Sequence, residues 1–148
     1  MQIKSIAVIG AGFMGAGIAQ LAAQKGYNVR LIDISPDRLQ QATGSAQHFI
    51  EKLVAKRVLQ EPAAVVVNRI QTSTDLGTAA EAEVVLEAIP ERLADKQQLY
   101  RTLDCLCPPA TLFGSNTSTI PIRLLAESTA RVDRFVGTHF FFPVPLNP

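Results

Sequence analysis

The amino-acid sequence predicts an α/β fold, a doubly wound and mainly parallel sheet of about six strands with helices on both faces. Three observations lead to this prediction. A glycine-rich turn directly follows an apolar strand near the N-terminus, strands and helices alternate along the chain, and the clearest strands are apolar at nearly every position. The 148 residues, 47% of them apolar, are enough for one domain with a substantial core, predicted to span residues 1–148.

The first predicted strand, residues 6–9, is followed by the G-x-G-x-x-G turn Gly10-Ala11-Gly12-Phe13-Met14-Gly15. Gly10 lets the chain turn tightly, Gly12 leaves room for a pyrophosphate, and Gly15 lets the next helix pack closely on the strand. That helix, predicted over residues 13–25, directs its free N–H groups and the positive end of its dipole at the phosphates. The pattern is typical of the dinucleotide-binding site of a Rossmann-type fold.

The second predicted strand, residues 29–32, leads into Asp33, about 20 residues beyond the glycines. In this architecture a carboxylate at that place hydrogen-bonds the adenosine ribose hydroxyls. Its charge repels a 2′-phosphate, so NAD is the predicted cofactor rather than NADP. The alternative is that Asp33 is a turn or cap residue before Pro36, although Ser35 is an equally good cap.

A long helix is predicted over residues 36–59, longer than a crossover helix requires, and we expect it to protrude from the sheet. Its far end carries the basic residues Lys52, Lys56 and Arg57. Without further information, this cluster is equally a solvated helix face with favourable dipole placement. Residues 63–67 are ambiguous between a strand and a helical turn, because a short apolar run has no decisive period.

The remaining predicted elements are strands over residues 69–74, 84–89, 111–114 and 134–138 and a helix over residues 92–105. Because ligands bind at the carboxyl edge of an open parallel sheet, the glycine turn, residues 87–91, residues 115–118 and His139 are expected to face one crevice. An imidazole suits proton transfer near neutral pH. Alternatively, a single histidine before three phenylalanines is a buried structural side chain.

Several classes of function are disfavoured by composition. The formal net charge of +1 gives no electrostatic reason to expect a nucleic acid. No uncharged run reaches the roughly 18 residues of a membrane helix, so a soluble, cytoplasmic protein is predicted. Cys105 and Cys107 lack further cysteines or clustered histidines, so two reduced thiols and no metal site are expected.

Four motifs, in order and at fitting spacings, resemble the N-terminal domain of the 3-hydroxyacyl-CoA dehydrogenases, including 3-hydroxybutyryl-CoA dehydrogenases. They are residues 8–15, 87–91, 115–118 and 139–141. The resemblance covers essentially the whole chain. It implies an NAD-dependent oxidoreductase of fatty acid metabolism, including β-oxidation, that passes a hydride between NAD and C3 of a 3-hydroxyacyl-CoA.

The resemblance also implies residue roles. His139 takes the proton of the 3-hydroxyl, Ser118 hydrogen-bonds the reacting oxygen near the nicotinamide, and Lys56 contacts the CoA phosphates. The implied cofactor-binding residues are Gly10, Gly12, Phe13, Met14, Gly15, Asp33, Glu91, Lys96 and Ser118. Alternatively, Ser118 caps the following helix, and Glu91 and Lys96 are surface charges.

The chain departs from the family pattern at two positions. Relatives usually have asparagine, which reaches the cofactor, where this chain has Phe142, and some have a CoA-binding serine where it has Phe49. The sequence also stops at Pro148, before the family's histidine-orienting glutamate and its helical C-terminal domain, which carries part of the substrate pocket and the dimer surface. We therefore expect NAD binding with poor turnover by this chain alone. Apolar residues 140–142 and 144–146, if exposed, promote association, as a homodimer or with a C-terminal domain.

Two other functions remain open at this stage. One is a binding module that senses NAD or NADH without chemistry, and the other is a dehydrogenase of another 3-hydroxy acid. The retained His139 and Ser118 argue against a pure sensor. Competition by free CoA distinguishes an acyl-CoA enzyme from both alternatives.

Overall fold

A single six-stranded sheet forms the centre of the molecule. The computed structural model describes residues 3–146, with the side chain of Leu146 excepted, so the ends of the predicted domain of residues 1–148 lie outside the described part. The strands are β1 (Ser5–Ile9), β2 (Asn28–Ile32), β3 (Ile70–Ser73), β4 (Val84–Glu87), β5 (Leu112–Ser115) and β6 (Phe135–Gly137). They lie in the order β3-β2-β1-β4-β5-β6, and every neighbouring pair is parallel. The predicted fold class is confirmed.

Five helices cover the two faces of this sheet. They are α1 (Phe13–Gln24), α2 (Pro36–Ala55), α3 (Ala63–Asn68), α4 (Leu93–Leu106) and α5 (Ile122–Ala126), with short 3-10 helices at Leu76–Glu81, Val132–Arg134 and Val144–Leu146. Along β1, Val8 packs on the α1–α2 side, whereas Ala7 and Ile9 pack on the α4 side. The two cores therefore follow from the alternation of side chains along a strand. Within residues 3–146, no helix combines the length and the apolar character needed to cross a membrane.

Helix α2 ends at Ala55, four residues earlier than predicted. The chain turns at Arg57, whose φ of 56° lies in the left-handed region, and the Val58 amide donates to the Leu53 carbonyl at 3.0 Å. Such a backward hydrogen bond closes a helix, and apolar periodicity does not reveal it. The helix is buried as far as Ile50, so its basic end lies beyond the packed part.

Two further elements differ from the sequence expectation. The ambiguous residues 63–67 form helix α3, which begins after Pro62 and buries Val66 completely. Strand β4 ends at Glu87 rather than at residue 89, because the Ile89 amide bonds back to the Glu87 carboxylate at 2.7 Å. That side-chain bond replaces a ladder hydrogen bond and turns the chain towards the carboxyl edge of the sheet.

The segment after β6 is only partly exposed, so residues 140–142 and 144–146 do not form one exposed apolar surface. Phe141 and Phe142 are exposed, but Val144 is 0% exposed and packs on α1. A Cβ placed on Gly17 would lie 3.0 Å from the Cβ of Val144, so glycine is what lets this segment approach the helix. The side chain of residue 146 lies outside the described part. Because Val144 packs on α1, the segment after β6 crosses the N-terminal half of that helix and lies beside the glycine turn.

Candidate functional site

A cavity of about 610 Å³ lies over the carboxyl ends of β1, β2 and β4. Five of the predicted cofactor residues line it, namely Gly10, Gly12, Phe13, Met14 and Asp33. Three more lining residues, Ala88, Ile89 and Pro90, belong to the segment that was expected to face the crevice. The others, to which the sequence assigned no role in the site, are Ile9, Ile32, Ile34, Arg38, Thr74, Leu76 and Leu99. The cavity lies at the point where the order of the strands reverses, the usual place for a ligand in a doubly wound sheet.

The glycines of the turn meet three different spatial requirements. Gly10 has a φ of 102°, and a Cβ there would lie 2.8 Å from the Ala88 carbonyl oxygen. A Cβ on Gly15 would lie 1.7 Å from the Gly10 carbonyl oxygen, whereas one on Gly12 would meet no protein atom within 4 Å. Gly10 and Gly15 are therefore required by the protein itself, and Gly12 leaves open space that fits a pyrophosphate.

Asp33 joins the glycine turn to the start of α2. Its carboxylate accepts hydrogen bonds from the Ala11 amide at 2.8 Å and from the Ser35 amide at 2.9 Å. The side chain is buried, and Ser35 caps α2 by accepting from the Arg38 amide at 3.3 Å. Ser35, and not Asp33, therefore caps α2. Asp33 lies at the edge of the cavity, and its carboxylate oxygens have lone pairs left to accept hydrogen bonds from further donors.

Ser118 and His139 lie against each other at the far end of the carboxyl edge. The Ser118 Oγ is 3.0 Å from the Nε2 of His139, and both residues are exposed. His139 is therefore no buried structural histidine. The Phe141 ring packs on the imidazole with a centroid separation of 4.6 Å. An exposed imidazole within hydrogen-bond distance of a hydroxyl can take a proton from a third group bound beside them.

Two hydrogen bonds, one to a side chain and one between backbones, fix the two segments that carry this pair. Asn116 accepts a hydrogen bond from the Phe140 amide at 2.7 Å, and the Thr138 amide donates to the Ser115 carbonyl at 2.9 Å. The segment that follows β5 is thereby tied to the segment that follows β6. Residue 116 belongs to one of the four motifs, but no spacing rule predicts this contact.

Glu91 gathers four donors from the residues around Ser118. The Ser118 and Thr119 amides donate to its carboxylate at 3.0 and 3.2 Å, and the Thr117 and Thr119 hydroxyls donate to the same oxygen. Burial alone raises the pKa of this carboxyl, but the hydrogen bonds from Lys96, Thr117 and Thr119 outweigh it and lower the pKa to about 2. The Glu91 carboxylate is therefore ionised, and it holds the loop that carries Ser118 by accepting these hydrogen bonds.

Lys96 is not at the open surface of the cavity. Its side chain is 1% exposed, and the ammonium lies 2.6 Å from the Glu91 carboxylate and 3.0 Å from that of Glu87. Glu87, which is 0% exposed, also accepts from the Ser115 hydroxyl at 2.6 Å. Sequence reasoning missed the part that Glu87 plays, although an acidic residue ending an apolar strand is a visible signal.

A second cavity, of about 580 Å³, adjoins the first and shares Gly12, Phe13 and Arg38 with it. It lies between α1, α2 and the segment after β6, and its lining includes Phe49 and Phe142. Both departures from the family pattern therefore occur in one cavity. Lys56 is exposed at the C-terminal end of α2 and does not line either cavity. Among residues 3–146, no group of three or more His, Cys, Asp or Glu side chains is placed to hold a metal ion.

The arrangement matches known proteins over nearly the whole chain. A probable 3-hydroxybutyryl-CoA dehydrogenase of Bacillus subtilis is 41% identical, over 99% of this chain and 51% of that protein. The family profile described as "3-hydroxyacyl-CoA dehydrogenase, NAD binding domain" matches residues 5–148. The chain belongs to this family. NAD is accordingly the cofactor of this domain.

Other proteins are also similar to nearly the whole of this chain. The mitochondrial hydroxyacyl-coenzyme A dehydrogenase of Sus scrofa is 40% identical, over 97% of this chain and 48% of that protein. The crystal structure of an Escherichia coli 3-hydroxybutyryl-CoA dehydrogenase superposes with a TM-score of 0.95 at 37% identity, covering 99% of this chain and 31% of that one. The chain thus spans about half the length of the first two relatives.

The low pKa of Glu91 makes the stability of the domain depend on pH. The folded-state pKa of about 2 lies below the usual value of 4.5, so the ionised carboxylate stabilises the fold fully above pH 4.5. This contribution is lost as the pH falls towards about 2. Because the side chain is 38% exposed, solvent screening limits it to about 1 kcal/mol.

We expect urea unfolding to show Glu91→Gln about 1 kcal/mol less stable than the wild type at pH 6. The difference should narrow steadily between pH 4.5 and the acid limit of the measurement. A difference that stays constant over this range contradicts the low pKa of Glu91.

Proposed function

We propose that the domain binds NAD in the 610 Å³ cavity and takes part in hydride transfer between NAD and C3 of a 3-hydroxyacyl-CoA. His139 acts as the general base and Ser118 as its partner at the reacting oxygen. The observation that carries the proposal is the 3.0 Å contact between Ser118 Oγ and His139 Nε2, at the same sheet edge as the glycine turn. A cofactor sensor without chemistry has no use for such a pair.

The chain's own residues supply the proton chemistry and the orientation. When bound, NAD supplies the hydride acceptor, and NADH the donor in the reverse direction. As the hydride leaves C3, the Nε2 of His139 takes the proton of the 3-hydroxyl, and it returns that proton when a 3-ketoacyl-CoA is reduced. The Ser118 hydroxyl stays within hydrogen-bond distance of both groups and holds the oxygen beside the imidazole.

The proposed cofactor contacts extend from the first cavity to the loop that carries Ser118. Gly10, Gly12 and Gly15 shape the turn over the pyrophosphate, Phe13 and Met14 begin the helix that faces it, and Asp33 binds the adenosine ribose. Glu91 borders the nicotinamide end beside Ser118, and Lys96 supports Glu91 from the interior. The open space at Gly12 and the N-terminus of α1 both support this placement.

The second cavity is the proposed place for the acyl-CoA. It adjoins the His139 segment through Phe142 and Pro143, and its mainly apolar lining also contains the polar residues Gln20, Arg38, Gln41 and Ser45. The Gln20 side chain is 6% exposed, and its amide nitrogen has no protein partner within residues 3–146. A donor of this kind suits an amide-bearing ligand. Lys56 is assigned to the CoA phosphates as a flexible cation at the end of α2.

The aromatic residue at position 142 is expected to weaken cofactor binding. Phe142 is 67% exposed and meets Phe13, which lines both cavities, edge to face at 6.4 Å. It therefore places a ring beside the cofactor cavity, where relatives usually have an asparagine amide. We expect Phe142→Asn to lower the NADH dissociation constant by about fivefold, since a new hydrogen bond contributes about 1 kcal/mol. Fluorescence titration with NADH measures this change.

Phe142→Ala is the matched control, because it removes the ring without adding an amide. If Phe142→Asn and Phe142→Ala tighten binding equally, relief of crowding explains the gain and the hydrogen-bond argument is lost.

The experiment that tests the proposal is the oxidation of NADH by acetoacetyl-CoA, followed by absorbance with the purified chain. Turnover that free CoA inhibits supports an acyl-CoA dehydrogenase. NADH binding without turnover favours either a sensor or a domain that needs a C-terminal partner. Adding the C-terminal half of a relative distinguishes them, because only the second kind of domain then gains turnover. If the chain turns over other 3-hydroxy acids and free CoA does not inhibit that turnover, the substrate is one of those acids and not an acyl-CoA.

The proposed setting is fatty acid metabolism by β-oxidation, supported by the substrate classes in the relatives' names. A cytoplasmic location and a homodimer, or a complex with a C-terminal domain, complete the proposal. Cell fractionation and light scattering test these two parts.

A further inference from the structure

We propose that Glu87 and Lys96 are positioning residues of this site, acting through Glu91 to hold the Ser118 hydroxyl against the imidazole of His139. This inference rests on the proposed roles of Ser118 and His139. Neither Glu87 nor Lys96 lines the two cavities described above. Their influence on the site therefore has to pass through other side chains, and the contacts show the route.

The route begins with a buried group of charges. The Lys96 ammonium lies between two carboxylates, 3.0 Å from Glu87 and 2.6 Å from Glu91, and we call these three residues the ion triad. Two of its members are completely enclosed, with Lys96 1% and Glu87 0% exposed. Removing one partner of such a pair leaves an uncompensated buried charge, so the ammonium and the carboxylates hold one another in place.

The triad joins three elements of the fold at one point. Glu87 ends β4, Lys96 lies on α4, and Glu91 lies in the loop between them. Glu87 also accepts hydrogen bonds from the Ile89 amide at 2.7 Å and from the Ser115 hydroxyl at 2.6 Å. The position of the Glu91 carboxylate is therefore set by the buried frame rather than by solvent.

Two paths lead from the triad to the residues that flank Ser118. In the first, Lys96 holds Glu91, which receives donors from Thr117, Ser118 and Thr119. In the second, the Ser115 hydroxyl bonded to Glu87 accepts from the Thr117 amide at 3.3 Å. The chain is thus held on both sides of Ser118, whose Oγ then lies 3.0 Å from His139.

Such a frame matters because the chemistry depends on small displacements. A misplacement of about 1 Å at reacting groups costs about a hundredfold in rate. Ser118 and His139 are both exposed and lie on different loops, so their contact is not enforced by burial. The ion triad supplies, from the interior, the rigidity that the exposed pair lacks.

The test uses the ring signals of His139 in the full chain, labelled with 13C and 15N at histidine. The chain has two histidines, and His48 is exposed on α2, so it serves as an internal reference. Ser118→Ala first establishes how far the His139 titration midpoint and ring shifts move when the hydroxyl is absent. The variant to compare is Glu87→Gln/Lys96→Met, which removes both buried charges together and leaves neither unpaired.

We expect the double variant to move the His139 midpoint in the same direction as Ser118→Ala, by at least half as much, with His48 unchanged. Leu103→Ala is the matched control, because it removes a buried apolar side chain from the same helix and leaves all three charges of the triad in place. It is expected to lower stability and to leave the His139 midpoint in place. The proposal is overturned if the double variant folds and keeps the wild-type His139 midpoint. It is also overturned if Leu103→Ala moves the His139 midpoint as far as the double variant does.

Glu87→Gln alone is the second variant, and it decides the matter if the double variant does not fold. It keeps the shape of the side chain and leaves Lys96 paired with Glu91. We expect a smaller displacement of the His139 midpoint in the same direction, and none at all overturns the role of Glu87. NADH titration of the wild type is made separately. Absence of NADH binding counts against the proposed function, whereas the His139 comparison judges the ion triad by itself.

Discussion

Gly15→Ala is expected to lower the free energy of unfolding by about 3 kcal/mol or more, at the upper end of overpacking substitutions. The added Cβ would lie 1.7 Å from the Gly10 carbonyl oxygen and 2.9 Å from its carbonyl carbon. These are backbone atoms of the tight turn, so no side-chain rotation can relieve the clash. Helix α1 would have to move away from β1, which also opens the turn that faces the cavity. Urea unfolding measures the loss, which is large against a typical total stability of about 5–15 kcal/mol.

Gly12→Ala is the matched control for this prediction. A Cβ there meets no protein atom within 4 Å, so stability should change by no more than about 0.5 kcal/mol. The methyl group instead occupies space proposed for the pyrophosphate. The NADH dissociation constant should therefore rise at least about tenfold, equivalent to about 1.4 kcal/mol. If Gly12→Ala lowers stability as much as Gly15→Ala does, the separate roles given to the two glycines are wrong.

His139→Ala is expected to reduce the turnover of acetoacetyl-CoA by about a hundredfold to ten-thousandfold, the usual contribution of a general acid or base. The imidazole is the titratable group in contact with the Ser118 hydroxyl, so its loss leaves no proton acceptor at that point. NADH binding should stay close to the wild-type value, because His139 is not among the residues that line the 610 Å³ cavity. Initial rates and NADH titration on the same preparation separate these two effects.

The other histidine of the chain provides the control. His48 is exposed on α2, and His48→Ala should leave both turnover and NADH binding unchanged. Ser118→Ala should reduce turnover less than His139→Ala, since it removes a hydrogen bond while leaving the base. Turnover that survives in His139→Ala at the wild-type rate excludes this histidine as the base.

The predictions that succeeded rest on local constraints. The glycine turn and the strand before it lie within the first 15 residues, and the backbone at Gly10 and Gly15 leaves no room for a side chain. The alternation of apolar strands and helices then determined the parallel sheet. Where the prediction was wrong, either a backbone turn that periodicity does not reveal or a contact between distant segments decided the outcome. Helix α2 ends at a left-handed Arg57, and Val144 is buried because Gly17 lets it approach α1.

Like the fold, the candidate site was predicted in part from local motifs and depends in part on long-range packing. His139, Ser118 and Glu91 were recognised as candidates from motifs, but Ser118 contacts residues 21 and 27 positions away, namely His139 and Glu91. Lys96 appeared in the sequence as a charge at a helix start, and in the fold it is a buried cation between two carboxylates. Its burial depends on how α4 packs against β4, which no periodicity within α4 reveals.

By itself, the sequence determined the fold class, the cofactor and the residue types of the site, because turns, periodicity and motif chemistry are properties of short segments. The tertiary structure alone decided the contact between Ser118 and His139, the ion triad of Glu87, Lys96 and Glu91, and the cavity shared by Phe49 and Phe142. These depend on the carboxyl ends of separate strands meeting at one edge of the sheet. Their distances arise from packing between segments that are far apart in the chain.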